Sequence, residues 1–165
     1  MGYDVHIERL GLSAVIDLQG EAGEIKNWGG AGLPTMPEQP NTSSEDGGLA
    51  LYWIAAERWL LRAAIDREDE LLAMTRPAEA PIEISVVQVS DTLQFFAITG
   101  ADAAAIVSIA SPIDHHSSVF PENGVTYTDI FGIKGLLVRR ADGFEIAVER
   151  SFGDMIADYL ARATA

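Results

Sequence analysis

The chain of 165 residues contains no cysteine. Its absence excludes disulfides, thiolate nucleophiles and zinc sites with thiolate ligands. Long apolar runs are also missing, since the most apolar stretch, residues 49–65, is interrupted by Glu57, Arg58 and Arg62. A membrane-spanning helix needs about 20 apolar residues, and no apolar segment of the signal-peptide kind follows Met1–Arg9. We therefore expect a cytoplasmic protein without thiol chemistry.

Basic residues are few. Lysine and arginine total 11 against 25 aspartates and glutamates, which gives a formal net charge of −14. Such a surface repels phosphate backbones, so nucleic acid is not an expected partner. The acidity fits either simple solubility or a face complementary to a basic partner. An apolar content of 48% is enough for the core of one compact domain or two small lobes.

Apolar alternation and turn residues predict mostly antiparallel strands with a few helices. Asp66, Thr99 and Ser151 are each followed three residues later by an aspartate, which predicts that they cap helices. Residues 20–48 are dense in glycine and proline and are expected to form an irregular loop. The predicted strands cover residues 5–9, 12–18, 82–89, 93–99, 125–130, 133–139 and 144–148, with a hairpin over residues 49–64.

A strand–turn–strand–helix unit occurs twice. Leu136 follows Leu51, and Ser151 follows Asp66, by the same 85 residues (136 − 51). The repetition is either a coincidence between common units or the mark of an internal repeat. It favours an α+β fold with two pseudo-related lobes of antiparallel or mixed sheet and packed helices. The lobes are expected to cover roughly residues 1–78 and 79–165.

Residues 112–121 are the only stretch that resembles an active site. They hold Asp114, His115 and His116, residue types that ligate metals or transfer protons. A zinc or iron site needs a third protein ligand, and the only other histidine is the distant His6. The alternative is an Asx-type turn at Asp114 with loop histidines beside it. We favour the turn and assign no catalytic, metal or cofactor-binding residue.

Nucleotide and nucleophile motifs are absent. The run Gly29-Gly-Ala-Gly32 would need a helix after it to cradle phosphate, and Pro34 and Pro37 prevent that. No serine lies in a G-x-S-x-G elbow.

Large apolar side chains in and near the 20–48 loop are the remaining candidates for function. They belong either to the core or to a subunit interface, because aromatic clusters form binding hot spots. We predict a subunit interface that includes Trp28, Leu33, Pro34, Met36, Trp53 and Trp59.

Several segments in order resemble one family. Asp114-His-His-Ser-Ser-Val-Phe120 matches its D-x-H motif with a following aromatic residue, and Phe144-Glu-Ile-Ala-Val-Glu-Arg-Ser-Phe152 matches a second motif. The chain is thus similar to the gamma subunit of heterotetrameric sarcosine oxidase, which in turn resembles the folate-binding domain of the glycine-cleavage T-protein. The other matching segments are residues 33–34, 40–41, 51–61, 87–91, 98–103 and 127–128.

The resemblance implies a T-protein-like fold and a non-catalytic, accessory role. The family complex oxidises sarcosine to glycine and passes the one-carbon unit to tetrahydrofolate. FAD, FMN and NAD are then expected in larger alpha- and beta-type partner subunits, beside a small zinc-binding delta-type subunit. In the family the gamma subunit binds no assigned cofactor, so Asp114, His116 and Phe120 would be structural.

The chain departs from the family at two places. Ala55-Ala56 replaces a Gly-Pro pair, and Ser117 replaces a proline after the histidine. These departures leave the N-methyl amine that is oxidised undetermined. A free-standing folate-binding domain is the alternative function, and a metal-dependent enzyme at Asp114 and His116 is a third.

Overall fold

A computed structural model describes residues 2–165, which form ten strands and four α-helices. None of these helices is long and apolar enough to span a bilayer. The strands are β1 (His6–Arg9), β2 (Ser13–Gln19), β3 (Ser43–Asp46), β4 (Leu49–Ala55), β5 (Arg58–Ala64), β6 (Ser85–Gln88), β7 (Leu93–Thr99), β8 (Val125–Ile130), β9 (Ile133–Arg140) and β10 (Gly143–Glu149). The helices are α1 (Ala22–Gly29), α2 (Glu68–Thr75), α3 (Ala103–Ala110) and α4 (Gly153–Ala163).

The chain forms two compact units. The terminal unit consists of residues 2–11 with Thr92–Ala165, and the central unit is Leu12–Asp91. Each unit contains one five-stranded antiparallel sheet, ordered β1-β7-β10-β9-β8 in the terminal unit and β3-β4-β5-β2-β6 in the central unit. This architecture is the α+β class expected from the sequence.

Each sheet buries one face against its own two helices. In the terminal unit Ile156 and Leu160 of α4 pack with Ile106 of α3 in a core that includes sheet residues such as Phe96. Ile156 and Leu160, one helical turn apart, therefore lie on the core face of α4. In the central unit Ile25 and Leu71 of α1 and α2 join a second core with residues of β2, β4, β5 and β6.

The two units repeat one topology, which confirms the pseudo-related lobes. Their strands correspond in sheet order as β6 to β1, β2 to β7, β5 to β10, β4 to β9 and β3 to β8. The 3₁₀ turns that precede α2 and α4, Ile65–Arg67 and Arg150–Phe152, are separated by the same 85 residues (150 − 65) as the motifs in the sequence.

The lobe boundary expected near residue 78 differs from the observed division. The first strand of each repeat joins the sheet of the other repeat. Strand β1 pairs with β7 of the terminal unit, and β6 pairs with β2 of the central unit. The strands predicted at residues 82–89 and 93–99 follow each other in the sequence, but they belong to different sheets. The hydrophobic pattern marks a strand without telling which sheet it joins.

The expected helix caps are wrong. The turns at Ile65–Arg67 and Arg150–Phe152 move the helix starts inward, so Asp66 and Ser151 do not cap α2 and α4. Helix α3 begins at Ala103, and Thr99 is the last residue of β7. Asp102 instead accepts a hydrogen bond from the Asp4 N–H group at 2.7 Å and so ties the chain preceding β1 to the start of α3.

The expected irregular loop over residues 20–48 contains both a helix and a strand. Helix α1 buries Ile25 and ends at the glycine run, and a 3₁₀ turn over Gly30–Gly32 follows. The helix therefore precedes the glycine run. The sequence pattern excluded a helix only after that run. Strand β3 then pairs with β4.

An ion pair between a buried carboxylate and a half-exposed arginine lies within the central sheet. The Asp17 side chain on β2 is 9% exposed and takes three contacts of 2.5–3.2 Å from the Arg58 guanidinium on β5. Removing one partner leaves the other charge unpaired in a low-dielectric site, which is the costly part of such pairs.

We therefore expect Arg58→Met to lower the free energy of unfolding by about 2 kcal/mol, less than for a fully buried pair because Arg58 is half exposed. Urea unfolding at pH 7 measures this loss. The matched double variant Asp17→Leu with Arg58→Met should be more stable than Arg58→Met alone. Equal stability of the single and the double variant would show that the unpaired carboxylate is not the cause.

Candidate functional site

The Asp114–Phe120 loop connects α3 to β8 and forms the turn expected from the sequence. The Asp114 carboxylate accepts a hydrogen bond from the His116 N–H group at 2.8 Å. The carbonyl of His116 then accepts from the N–H groups of Val119 and Phe120, at 2.9 and 2.8 Å. Phe120 is buried in the core of the terminal unit. The loop is thus a hydrogen-bonded turn anchored by an aromatic side chain.

Arg139 of β9 fastens both ends of this loop. Its Nη1 donates to the carbonyl of His115 at 2.7 Å and to that of Phe120 at 3.2 Å. Its guanidinium also lies over the Phe144 ring, 5.3 Å from the centroid. One cation therefore satisfies two loop carbonyls. The sequence analysis missed Arg139, and only its place two residues past the buried Leu137 could have suggested an inward position.

The two loop histidines contact different neighbours. The His115 ring packs edge-on against Phe144 at 5.5 Å and its Nε2 lies 3.3 Å from the Ser108 hydroxyl of α3. His116 is exposed, and its Nδ1 lies 2.8 Å from the Ser118 hydroxyl. Neighbouring residues in extended chain point apart, and the rings follow that rule. The loop does not bring both rings to one reaction centre.

No metal cluster forms around these residues. Within residues 2–165, no group of three or more His, Cys, Asp or Glu side chains is placed to hold a metal ion. His6, the third histidine, lies on β1. Asp114 and His116 thus remain two side chains without a third ligand, whereas a catalytic zinc site uses three protein ligands.

Two surface hollows of the terminal unit lie elsewhere. One of about 470 Å³ is lined by Ile109, Phe131, Tyr159, Arg162 and Ala163. The other, of about 360 Å³, lies along β1 and α4 and includes Ile7 and Phe96. Neither is lined by a residue of the Asp114–Phe120 loop, so neither joins those histidines to a binding cavity.

The tryptophans of the predicted interface are packed against the central core. Trp59 is 2% exposed and stacks on Trp53 with a centroid distance of 6.0 Å. Trp53 is half buried, and its indole N–H donates to the Ala55 carbonyl at 2.8 Å. These two rings form a cross-strand pair in the β4–β5 hairpin, a common stabilising unit of sheets.

Trp28, near the end of α1, contacts the C-terminal end of α2. Its indole N–H donates to the carbonyl of Thr75 at 2.5 Å. The Arg76 guanidinium lies over the ring at 4.3 Å and donates to the Trp28 carbonyl at 3.0 Å. Arg76 adopts a left-handed conformation with φ of 41° at the end of α2, and these contacts hold it there.

Two of the other interface candidates also contact the central core. Leu33 and Met36 are half buried against it, and Pro34 is buried. The segment therefore packs on its own unit, which is the core alternative that the sequence left open. Its role as a subunit interface stays a prediction, to which Trp28, Leu33, Met36 and Trp53 can contribute their exposed portions.

Glu68 at the start of α2 joins the helix to the strand beneath it. Hydrogen bonds from the Ser90 hydroxyl, and then from the Gln88 amide, lower the pKa of Glu68 below its ordinary value of 4.5, against a smaller opposing effect of burial. Ser90 also accepts from the Val15 N–H group at 3.0 Å. This network ties β6 and the residues after it to α2 and β2.

The lowered pKa makes the stabilisation by Glu68 pH-dependent. A carboxylate with a depressed folded-state pKa stabilises the fold fully above pH 4.5, and the effect is lost as the pH falls through the lowered pKa. We expect Glu68→Gln to be less stable than the wild type at pH 7 and to converge with it as the pH falls below 4.5 and through the lowered pKa of Glu68. Urea unfolding across this range measures the gap, and Ser90→Ala should remove most of its pH dependence. A gap that stays constant with pH would contradict this account.

A family model described as "Sarcosine oxidase, gamma subunit family" matches residues 35–165. The match includes the Asp114–Phe120 loop, Arg139 and Trp59. No curated protein sequence matches the chain significantly.

Solved structures share the fold at low sequence identity. A chain of the heterotetrameric sarcosine oxidase from Corynebacterium sp. U-96 superposes with a TM-score of 0.83 at 21% identity, over 97% of this chain and 83% of that one. The glycine cleavage system aminomethyltransferase T from Bartonella henselae gives 0.73 at 17% identity, over 95% of this chain and 45% of that one. The regulatory subunit of aspartate kinase from Thermus thermophilus reaches 0.52 at 12% identity, with full coverage of both chains. The T-protein-like fold expected from the sequence is confirmed.

Proposed function

Because the chain belongs to the sarcosine oxidase gamma subunit family, we propose that it is an accessory, non-catalytic subunit of a sarcosine-oxidase-type complex. The complex would demethylate sarcosine oxidatively to glycine and pass the one-carbon unit to tetrahydrofolate. The observation that carries the proposal is the family match over residues 35–165.

The geometry of the family's own motif supports a structural role. Asp114 holds a turn, Phe120 fills the core, and Arg139 binds the loop carbonyls from below. A general acid or base must reach a substrate proton directly or through one water. The contacts of Asp114 and Phe120 are instead made within the terminal unit, where they fix the path of the chain.

The cofactors of the reaction are proposed to reside in the partners. Larger alpha- and beta-type subunits would hold FAD, FMN and NAD, and a small delta-type subunit would hold zinc. A cytoplasmic location fits this proposal, because a chain without cysteine needs no oxidising compartment.

Co-purification tests the proposal. A tag on this chain, expressed in its own cells, should isolate a stoichiometric complex with larger subunits, and the complex should show the visible absorbance of bound flavin. Sarcosine should bleach that absorbance. A solitary, colourless chain that binds tetrahydrofolate by calorimetry would contradict the proposal and favour a free-standing folate-binding domain.

A further inference from the structure

Strand β6 forms one edge of the sheet in the central unit. Strand β6 ends the sheet order and pairs only with β2 among the strands described. The N–H group of Val89 donates to the Val15 carbonyl at 2.8 Å. Since hydrogen-bonded pairs alternate along an antiparallel ladder, Ser85 and Val87 bond to β2. The backbone groups of Val86 and Gln88 therefore face outward.

Edge strands are usually protected by charged side chains, by proline or by coverage. Three of the four edge strands described in residues 2–165 carry charge, with Glu8 and Arg9 on β1, Glu45 and Asp46 on β3, and Asp129 on β8. Strand β6, Ser-Val-Val-Gln, carries none. Its counterpart in the repeat, β1, even fixes Arg9 to Asp154 at 2.6 Å. Of the edges described, β6 alone lacks a charge that discourages pairing.

Two exposed aliphatic side chains lie on or beside this edge. Ile82, in the connector just before β6, is 97% exposed, and Val87 on the strand is 47% exposed. A nearly fully exposed isoleucine gains nothing from the fold of its own chain. Such residues become favourable when a partner covers them, which points to a contact surface rather than to a packing role.

The charge around the edge indicates the chemistry of the partner. Glu79, Glu83 and Asp91 flank β6 and are exposed, and the chain has no lysine or arginine from Pro77 to Ile133. A second copy pairing antiparallel through β6 would bring these acidic flanks together, which is unfavourable. A basic segment would be attracted to them instead.

We propose that the outer edge of β6 pairs with an extended, basic segment of a partner subunit, which adds a sixth strand to the sheet of the central unit. Ile82 and Val87 supply the apolar contacts, and Glu79, Glu83 and Asp91 meet the basic side chains. The backbone supplies the hydrogen bonds, as in other cases of strand addition. This inference rests on the proposed function, because it requires a partner subunit.

Amide hydrogen exchange in the complex isolated through a tag on this chain tests the pairing residue by residue. Ser85 and Val87 are bonded within the chain, so they are protected in any case. The amides of Val86 and Gln88 should exchange at least about 100-fold more slowly than in an unstructured chain only if a strand is added. A partner that merely covers the side chains would not produce protection at these outward amides.

The outcomes separate the two proposals. A complex in which Val86 and Gln88 exchange freely overturns the strand addition and leaves the accessory function intact. Protection found in a homodimer of this chain instead of the complex overturns the basic partner. Failure to isolate any complex overturns both.

Variants provide a second test in the same complex. Gln88→Pro removes the outward N–H group without touching the ladder to β2, and Gln88→Ala is its matched control because both variants lose the bond to Glu68. The proline variant should bind the partners about tenfold more weakly than the alanine variant does. Glu83→Lys, at an exposed connector position, should weaken assembly and reduce its salt sensitivity. Equal assembly of folded Gln88→Pro and Gln88→Ala would overturn the proposal.

Discussion

Replacing Gly143 by alanine is expected to destabilise the terminal unit by about 3 kcal/mol or more. Gly143 opens β10 with φ of +154°, and a Cβ there would lie 2.1 Å from the Ile98 carbonyl oxygen and 3.1 Å from the Thr99 Cα. Both neighbours are backbone of β7, the strand that pairs with β10 in the middle of the sheet. The two strands would have to separate, because no side chain can move aside. Urea unfolding at pH 7 measures the loss.

Gly132 provides the matched control. It also has a positive φ, +86°, but a Cβ there would meet no atom within 4 Å. Gly132→Ala should therefore cost only about 1 kcal/mol for its backbone conformation. Similar losses at the two glycines would show that backbone strain, not the approach of β7 to β10, determines the effect at Gly143.

Arg139→Met is expected to lower the free energy of unfolding by about 2–3 kcal/mol. The change leaves the carbonyls of His115 and Phe120 without their donor and removes the cation over Phe144. Arg139→Lys should lose less, because an ammonium group still reaches a carbonyl but lacks the planar fork. Urea unfolding measures stability, and the exchange rates of the Val119 and Phe120 amides report whether the loop has loosened.

Arg162→Met is the control for Arg139→Met, because it makes the same substitution and the same change in net charge. Arg162 pairs with Asp158 at 2.8 Å, with side chains 74% and 53% exposed, and such surface pairs contribute about 0.5 kcal/mol or less. If Arg139→Met were no more destabilising than Arg162→Met, the loop would not depend on Arg139.

Local sequence patterns predicted most strands and the internal repeat. Hairpins such as β4–β5 and β9–β10 could be predicted because alternation and turn residues are properties of neighbouring residues. The exchange of β1 and β6 between the units could not, because both strands carry the same alternating pattern that any half-buried strand has. Only the pairing to β7 and β2 distinguishes them.

The candidate site was predictable in part. The turn at Asp114 follows from the hydrogen-bonding habit of aspartate and is confirmed. The hydrogen bonds of Arg139 to the loop depend on the β8–β9 register. This register places Arg139 next to His115, which lies 24 positions earlier in the chain. The predicted caps at Asp66 and Ser151 were wrong because three-residue 3₁₀ turns before α2 and α4 shifted the helix starts. Sequence spacing alone does not report such turns.

The most direct test of a non-catalytic role is the turnover of the assembled complex after the motif is altered. Asp114→Asn with His116→Ala should leave sarcosine oxidation per mole of assembled, flavin-loaded complex within about twofold of the wild type. Loss of a general acid or base costs about 100-fold or more. A loss of that size in a complex of unchanged subunit composition would contradict the account and place catalysis in this chain.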